Sequence, residues 1–371
     1  MDSKFSILTV NPGSTSTKMA LFIGEEKVFE ETLRHESSEI AKYKGIWDQY
    51  DFRKKVILEA FRNHPETVSK LDAVVGRGGI IKPIISGTYL VNDEMIEDAS
   101  TNKYGEHASN LGCALARDIA KEYGGCPSYI VDPTTTCEYQ RLSFYSGHPL
   151  LQRKSIAHVL NIHATARKAA QDLGIPYRES RLIVAHMGGG ITVAAVLGGK
   201  MIDNNNATAE GPMTPERSGS LPCIQLAELC FSGKYTLPEV KKMIMGKGGF
   251  VAYLGTNSAA EVEKRAREGD EVAREVYDAL VYQVAKEIGA CSTVLFGKVD
   301  AIVLTGGLAY SDHMISTITP RISYLGKVVR YPGEDELEAL AAGALRVLEG
   351  KEEALVYPTY GERAPEWKPI D

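Results

Sequence analysis

Two stretches of this chain repeat, in order, further along it. Residues 7–22 read ILTVNPGSTSTKMALF and residues 182–197 read LIVAHMGGGITVAAVL; they overlay without a gap at an offset of 175. Residues 71–79, LDAVVGRGG, overlay residues 299–307, VDAIVLTGG, so that Asp72 meets Asp300 and the Gly-Gly pairs coincide. Each half therefore opens with a strand, a turn and a strand, and later has a strand ending in Gly-Gly. The spacing is far longer than a solenoid repeat. It predicts two similar α/β domains, and 371 residues are more than a single core usually holds.

The other segments fit that layout. Residues 93–125 read as helical with a break near Gly105, and SYIVDP is a short strand reaching Asp132. HVLNIHATARKAAQDLG has helical periodicity and stops at Gly174, a C-cap residue. Residues 270–296 and 335–350 are further helices. Strands mixed with crossover helices mean a mixed α/β architecture.

Net charge is −6, which argues against a nucleic-acid or membrane-surface partner. An anionic ligand must then be caught by local groups. The six cysteines include no CxxC pair and no Cys/His cluster with zinc spacing, which suits reduced thiols in the cytoplasm. MDSKFSILTV enters a strand at once without a signal-peptide core, and no apolar run reaches the roughly 20 residues of a membrane span.

The chemistry lies in the turns. NPGSTSTK and HMGGG expose backbone N–H groups and hydroxyls in concave loops suited to phosphate oxygens. Neither is a Walker A or dinucleotide loop, because the glycine spacing and the following helix are missing. As single turns they need be no more than hairpins using glycine for positive φ; as a matched pair they point to a ligand. GRGG sets Arg77 beside two glycines after a buried strand, and GPMTPERSGS sets Arg217 in a Pro/Gly-rich loop. Arginine in such places suits planar recognition of carboxylate or phosphate, against the plainer reading of a solvated ion pair. Asp132 stands at a strand end, as a cleft carboxylate or a turn-former. His158 and His163 lie five apart, one suited to a ligand and the other to structure. LTGGLAYSD brings Gly306 and Gly307 to a strand end. In PGEDELEALAAG three acids open a helix, where the dipole alone accounts for them.

Together these motifs resemble the acetate kinase/butyrate kinase family, of the superfamily of sugar kinases, Hsp70 and actin, from Ile7 to about Leu348. NPGSTSTK is similar to the family's Asn-x-Gly-Ser-x-Ser-x-Lys opening, AHMGGGIT to its second phosphate loop and LTGGLAYSD to its adenosine loop. In the last, Ala309 stands where TGGIGEN has its final Gly. GRGG is the short butyrate-kinase form of HRxxHGG. The resemblance implies two duplicated ribonuclease-H-like domains with a cleft between them, divided as 1–154 plus about 340–371 against 155–339. It implies ATP and ADP with Mg²⁺, a short-chain fatty acid or its acyl phosphate as substrate, and a homodimer or higher oligomer.

By the same resemblance, Arg77 and Arg217 hold the carboxylate and the phosphoryl group, His158 contacts that group and Asp132 is catalytic. Ser14, Ser16, Lys18, His186, Gly188, Gly189, Gly190, Gly306 and Gly307 join Asn11 around the nucleotide. Asn11 and Glu336, or else Asp335, stand near the metal. Gly78, Gly79, Ala157 and Pro212 line the acyl pocket, where small side chains leave room for extra methylenes. The reaction expected is butyrate + ATP to butyryl phosphate + ADP. Acetate, propionate or a branched acid as substrate, and an ATP-driven protein switch, are the other readings. The two arginines speak against the switch, which needs no second anion site.

Overall fold

A computed structural model of the protein describes residues 5–358. Its strands, in chain order, are β1 (Ser6–Pro12), β2 (Ser16–Ile23), β3 (Glu26–Arg34), β4 (Ala73–Arg77), β5 (Thr88–Leu90), β6 (Ser128–Val131), β7 (Arg181–Met187), β8 (Ile191–Leu197), β9 (Lys200–Asn204), β10 (Ala301–Gly306), β11 (Lys327–Pro332) and β12 (Leu355–Val356). They form two sheets in two compact units. One unit holds the described residues up to Glu138 and those from Asp335 onward; the other is Tyr139–Glu334.

The expected boundaries at 154/155 and near 340 are thus corrected to 138/139 and 334/335. The reason is polar anchoring. Tyr139 Oη donates to Asn204 O at 2.7 Å, and Arg153 bonds Asp203 Oδ1 at 3.0 Å and Asn204 O at 2.8 Å. These contacts tie the loop 139–154 to β9. Residues 1–4 and 359–371 of the expected bounds lie outside the described residues.

The first sheet runs β12-β5-β6-β4-β1-β2-β3 and the second β11-β10-β7-β8-β9. The five-strand order of the second recurs inside the first. The ladders repeat too: Ile7 pairs with Ala73 between parallel β1 and β4, and Leu182 pairs with Ala301 between parallel β7 and β10. These are the residues that the two sequence offsets superpose. In the hairpins the overlay slips by one. Lys18 lies opposite Asn11, but Thr192, not Val193, lies opposite His186. The first turn closes from Gly13 N to Ser16 O and the second from Gly188 N to Gly190 O. Three glycines permit the shorter turn, having no side chain to clash in it.

Packing follows from strand alternation. In the second unit Leu182, Val184, Ala194 and Val196 meet helix Val159–Asp172 on one face. Ile183, Ala185, Val193 and Ala195 meet helix Glu271–Val294 on the other. Burial on both faces is why these strands read as unbroken apolar runs. In the first unit Leu8, Val10, Met19 and Leu21 pack with helices Tyr50–Asn63 and Gly112–Glu122. Helix Glu336–Leu348 returns to lie against β1, β4 and β6, with Leu337, Leu340 and Ala344 buried. No helix among the described residues is long and apolar enough to cross a membrane.

Candidate active site

In the first unit the ends of β1 and β4 come together with the start of helix Glu336–Leu348. Asn11 Nδ2 donates to Glu336 Oε2 at 2.6 Å, and Arg77 Nε is 3.3 Å from Glu336 Oε1. Arg77 is buried, and its Nη1 donates to the Asp132 carbonyl at 3.4 Å. A Cβ on Gly76 would overlap Gly112 O, so glycine at both positions lets helix Gly112–Glu122 lie directly on β4. Asn11, Ser16, Lys18, Arg77 and Glu336 line a cavity of about 250 Å³ with Pro12, Gly13, His107, Ser109 and Thr134.

The hydroxyl-rich turn is braced from behind. Arg53, fully buried, donates to Ser14 O at 3.0 Å, Ser16 O at 3.2 Å and Thr17 Oγ1 at 3.1 Å, and also binds Gln49 Oε1. Thr17 Oγ1 lies 2.9 Å from His35 Nε2. Burial, with the Arg53 charge adding to it, holds the His35 imidazole down to about 4. Thr17 is therefore structural. Ser14 is exposed and does not line the cavity.

Three expectations change here. Asp132 does not present its carboxylate to the cavity: Oδ1 accepts from Ser86 Oγ at 2.7 Å and Gly87 N at 2.8 Å, at a left-handed φ of 42°. What reaches Arg77 is its carbonyl, so this residue shapes the arginine's setting. Gly78 and Gly79 do not leave open space. A Cβ would stand 2.6 Å from Pro133 Cβ at the first and 2.5 Å from Asn110 Oδ1 at the second, so protein atoms already fill the room. Of the two acids weighed for the metal, Glu336 bonds Asn11, while Asp335 is the cap residue before the helix.

His107 was not anticipated. Burial, then the Arg77 charge, lowers its pKa, opposed by Glu336. Its clue was GEHASN, a polar histidine-bearing loop just before a helix.

In the second unit the site gathers at the ends of β7 and β10. His186, one residue before the end of β7, is fully buried and stacks on His158 with ring centroids 4.0 Å apart. Arg217 lies over the triglycine turn, since a Cβ on Gly190 would overlap its guanidinium. Its Nη1 donates to Ala207 O at 2.7 Å, and Thr214 Oγ1 ties the same loop to Gly189 O at 2.6 Å. Burial lowers the Arg217 pKa, against Glu216. Its Nε is buried with no hydrogen-bond partner among the described residues, a donor suited to an anion.

Gly306 has φ 86° and abuts Met187, so backbone packing accounts for it; Gly307 is exposed with open space over it. Ala309 is buried in the core. His163 is buried against Tyr177 Oη at 2.9 Å and is structural. Ala157 packs in a hydrophobic core with Val159 and Leu182, and Pro212 is buried beneath Gly219, so neither offers an open wall.

The donor set suits magnesium of the nucleotide-bound kind. Mg²⁺ takes oxygen ligands and keeps waters, using one or two carboxylates plus substrate phosphates. Glu336 and Asn11 supply a carboxylate and an amide oxygen at the cavity, and no group of three or more His, Cys, Asp or Glu among the described residues could cage an ion unaided.

The match to known proteins is extensive. The acetokinase family model matches residues 144–328. The chain is 50% identical over 354 residues to a probable butyrate kinase of Listeria innocua, covering 95% of this chain and 99% of that protein. It is 51% and 52% identical to butyrate kinases 2 and 1 of Clostridium acetobutylicum, over the same shares. Among solved structures, Porphyromonas gingivalis acetate kinase superposes with a TM-score of 0.78 at 19% identity, covering 93% of this chain and all of that one. A propionate kinase from Francisella tularensis gives 0.67 at 20% identity, covering 91% and 98%. With two like units on the duplicated fold and half its residues shared end to end with these relatives, the chain belongs to the butyrate kinase branch of the acetokinase family.

Proposed function

We propose that this carboxylate kinase transfers the γ-phosphoryl group of ATP to butyrate, and in reverse makes ATP from butyryl phosphate and ADP. The observation that carries the reading is a polar cavity holding the buried Arg77, in which Ser109 Oγ lies 2.8 Å from His107 Nδ1 but no aspartate is among the lining residues to complete a Ser-His-Asp set. A carboxylate is already ionised at neutral pH and needs no general base to attack. What the reaction needs is positioning and cancellation of charge as two anions approach.

In this reading a carboxylate oxygen of the acid attacks the γ-phosphorus. The bond from that phosphorus to the β–γ bridging oxygen breaks, its electrons leave with ADP, and no proton moves. Arg77 holds the carboxylate, while Arg217 and His158 hold the phosphoryl oxygens. Asn11, Ser16, Lys18 and the Gly188–Gly190 turn receive the nucleotide phosphates. Glu336 and Asn11 would hold Mg²⁺, which when bound neutralises phosphate charge. The preference for butyrate rests on the relatives' names, since the glycines expected to enlarge the acyl pocket are packed. Six free thiols suit a reducing cytoplasm.

The test is hydroxamate trapping of the acyl phosphate with ATP and a panel of acetate, propionate, butyrate, isobutyrate and valerate. Butyrate should exceed acetate by at least tenfold in kcat/KM, the usual scale of discrimination by one or two methylenes. A wild type that prefers acetate removes the butyrate assignment, and no hydroxamate from any acid removes the reading as a whole.

The partner proposed besides substrates is a second copy. Helix Cys223–Phe231 carries the apolar sequence CIQLAELCF yet buries no residue, and in the next helix, Leu237–Ile244, only Val240 is buried. An apolar helix of nine residues belongs in an interior and does not persist in water on its own.

A further inference from the structure

Behind the triglycine turn lies a constellation that the roles above do not use in full, in which His186 is fully buried and Glu334 at its edge is 40% exposed. His186 Nδ1 is 2.8 Å from Asn161 Oδ1, and His186 Nε2 is 3.0 Å from Glu334 Oε1. The carboxylate oxygen lies off the N–H axis, so the second contact is an ion pair more than a straight hydrogen bond. Thr305, the parallel neighbour of His186 on β10, reaches the same Asn161 oxygen at 3.3 Å. The face of His186 lies on His158, the planes 16° apart. His158 Nδ1 is 2.9 Å from Thr192 Oγ1, and Thr192 is the antiparallel partner of His186. Glu334 has room to approach because residue 188 is glycine: a Cβ there would stand 3.0 Å from Glu334 Oε1 and 3.3 Å from His186 Nε2.

We propose that Glu334 is a positioning residue, which fixes the buried ring of His186 and, through the stack, the plane of His158. The helix dipole, which accounts for the three acids of PGEDE as sequence, does not account for where they go. Glu334 meets His186, Asp335 caps the helix, and Glu336 meets Asn11 and Arg77. Asn161 Oδ1 holds one edge of the His186 ring by a hydrogen-bond contact, and Glu334 Oε1 stands 3.0 Å from the other. With Asn161 at one edge, Glu334 at the other and His158 on its face, the ring has no freedom to turn. His158 then takes its orientation from a ring that cannot move. The proposal rests on the reading of His158 as a contact to the phosphoryl group.

The experiment pairs kinetics with nitrogen NMR of the full chain labelled in histidine, the His186 signals being assigned by their loss in His186→Asn. Wild type should show one sharp set of His186 ring-nitrogen signals. Glu334→Gln, which keeps the shape and removes the charge, should lose that signature and lower kcat about 10–100-fold, the usual loss when a group that orients a site residue is removed. KM for ATP and butyrate should stay within about twofold, and Glu334→Asp should recover part of both readouts. Glu334→Ala serves as a second deletion if it folds; Glu334→Gln decides if it does not. Unchanged His186 signals in Glu334→Gln, or an unchanged kcat, overturn the proposal and leave the acid-kinase reading standing. A His158→Ala variant with wild-type kcat instead overturns the role of His158 itself.

Discussion

Arg77 shows how much one side chain can be asked to do. It is buried, and its contacts are the Glu336 carboxylate and the Asp132 carbonyl, so its charge is compensated but its fork is not filled by a bidentate partner. Arg217 has the complementary setting, a guanidinium over Gly190 with a buried Nε lacking a partner among the described residues. Replacing either with Ala should lower kcat by about 10²–10³, the loss expected for one preorganised charge stabiliser. Circular dichroism should show the fold retained. Near-normal turnover in either variant would remove that arginine from the mechanism. At this scale the sequence was legible in the placement of Arg77 and Asn11, which the fold brings to one cavity. It was misleading at Gly78 and Gly79. A glycine reports that a side chain is forbidden there, and not whether protein atoms or a ligand fill the space.

Among elements, the hairpin of β1 and β2 depends on what lies beneath it. Arg53 holds the turn's carbonyls, and Thr17 and His35 complete the network. His35 titrates near 4 when folded and 6.5 when free, so between those values the unfolded chain binds more protons. Its contribution is fully present above pH 6.5 and is lost as pH falls toward 4, by at most about 1.4 kcal/mol per pH unit. Melting temperature should fall from pH 7 to pH 5 in wild type and fall less in His35→Gln. Equal slopes would show that other groups set the acid response. The repeat in the sequence carried the ladder register correctly through both β1/β4 and β7/β10, because Asp72 and Asp300, which it superposes, accept from Ser6 N and Arg181 N at the same point of each ladder. The one-residue shortening of the second turn was not visible, since Gly, Ser and Thr carry no periodicity. Nor was the attachment of residues 139–154 to β9, which rests on single hydrogen bonds.

For the molecule as a whole, the exposed helices 223–231 and 237–244 leave Ile224, Phe231 and Leu237 between 66% and 92% exposed, and Tyr253 of the following helix Gly249–Leu254 is 68% exposed. Patches of that kind mark interaction sites, and a permanent one fits a permanent partner. Light scattering should give wild type a mass at a multiple of 40.5 kDa. Ile224→Glu combined with Phe231→Glu should shift it to the single chain. A monomeric wild type, or a variant of unchanged mass, would refute self-association through this face.

The crossing of the chain at 138/139 and 334/335 has a consequence for biosynthesis. The helix Glu336–Leu348 and strand β12 that finish the first sheet's surroundings leave the ribosome about 200 residues after the rest of that unit, roughly 10–40 s later at ordinary elongation rates. The intervening unit can close while the earlier one still has β1, β4 and β6 uncovered on the side that helix will occupy. The part of the enzyme made first is the part completed last.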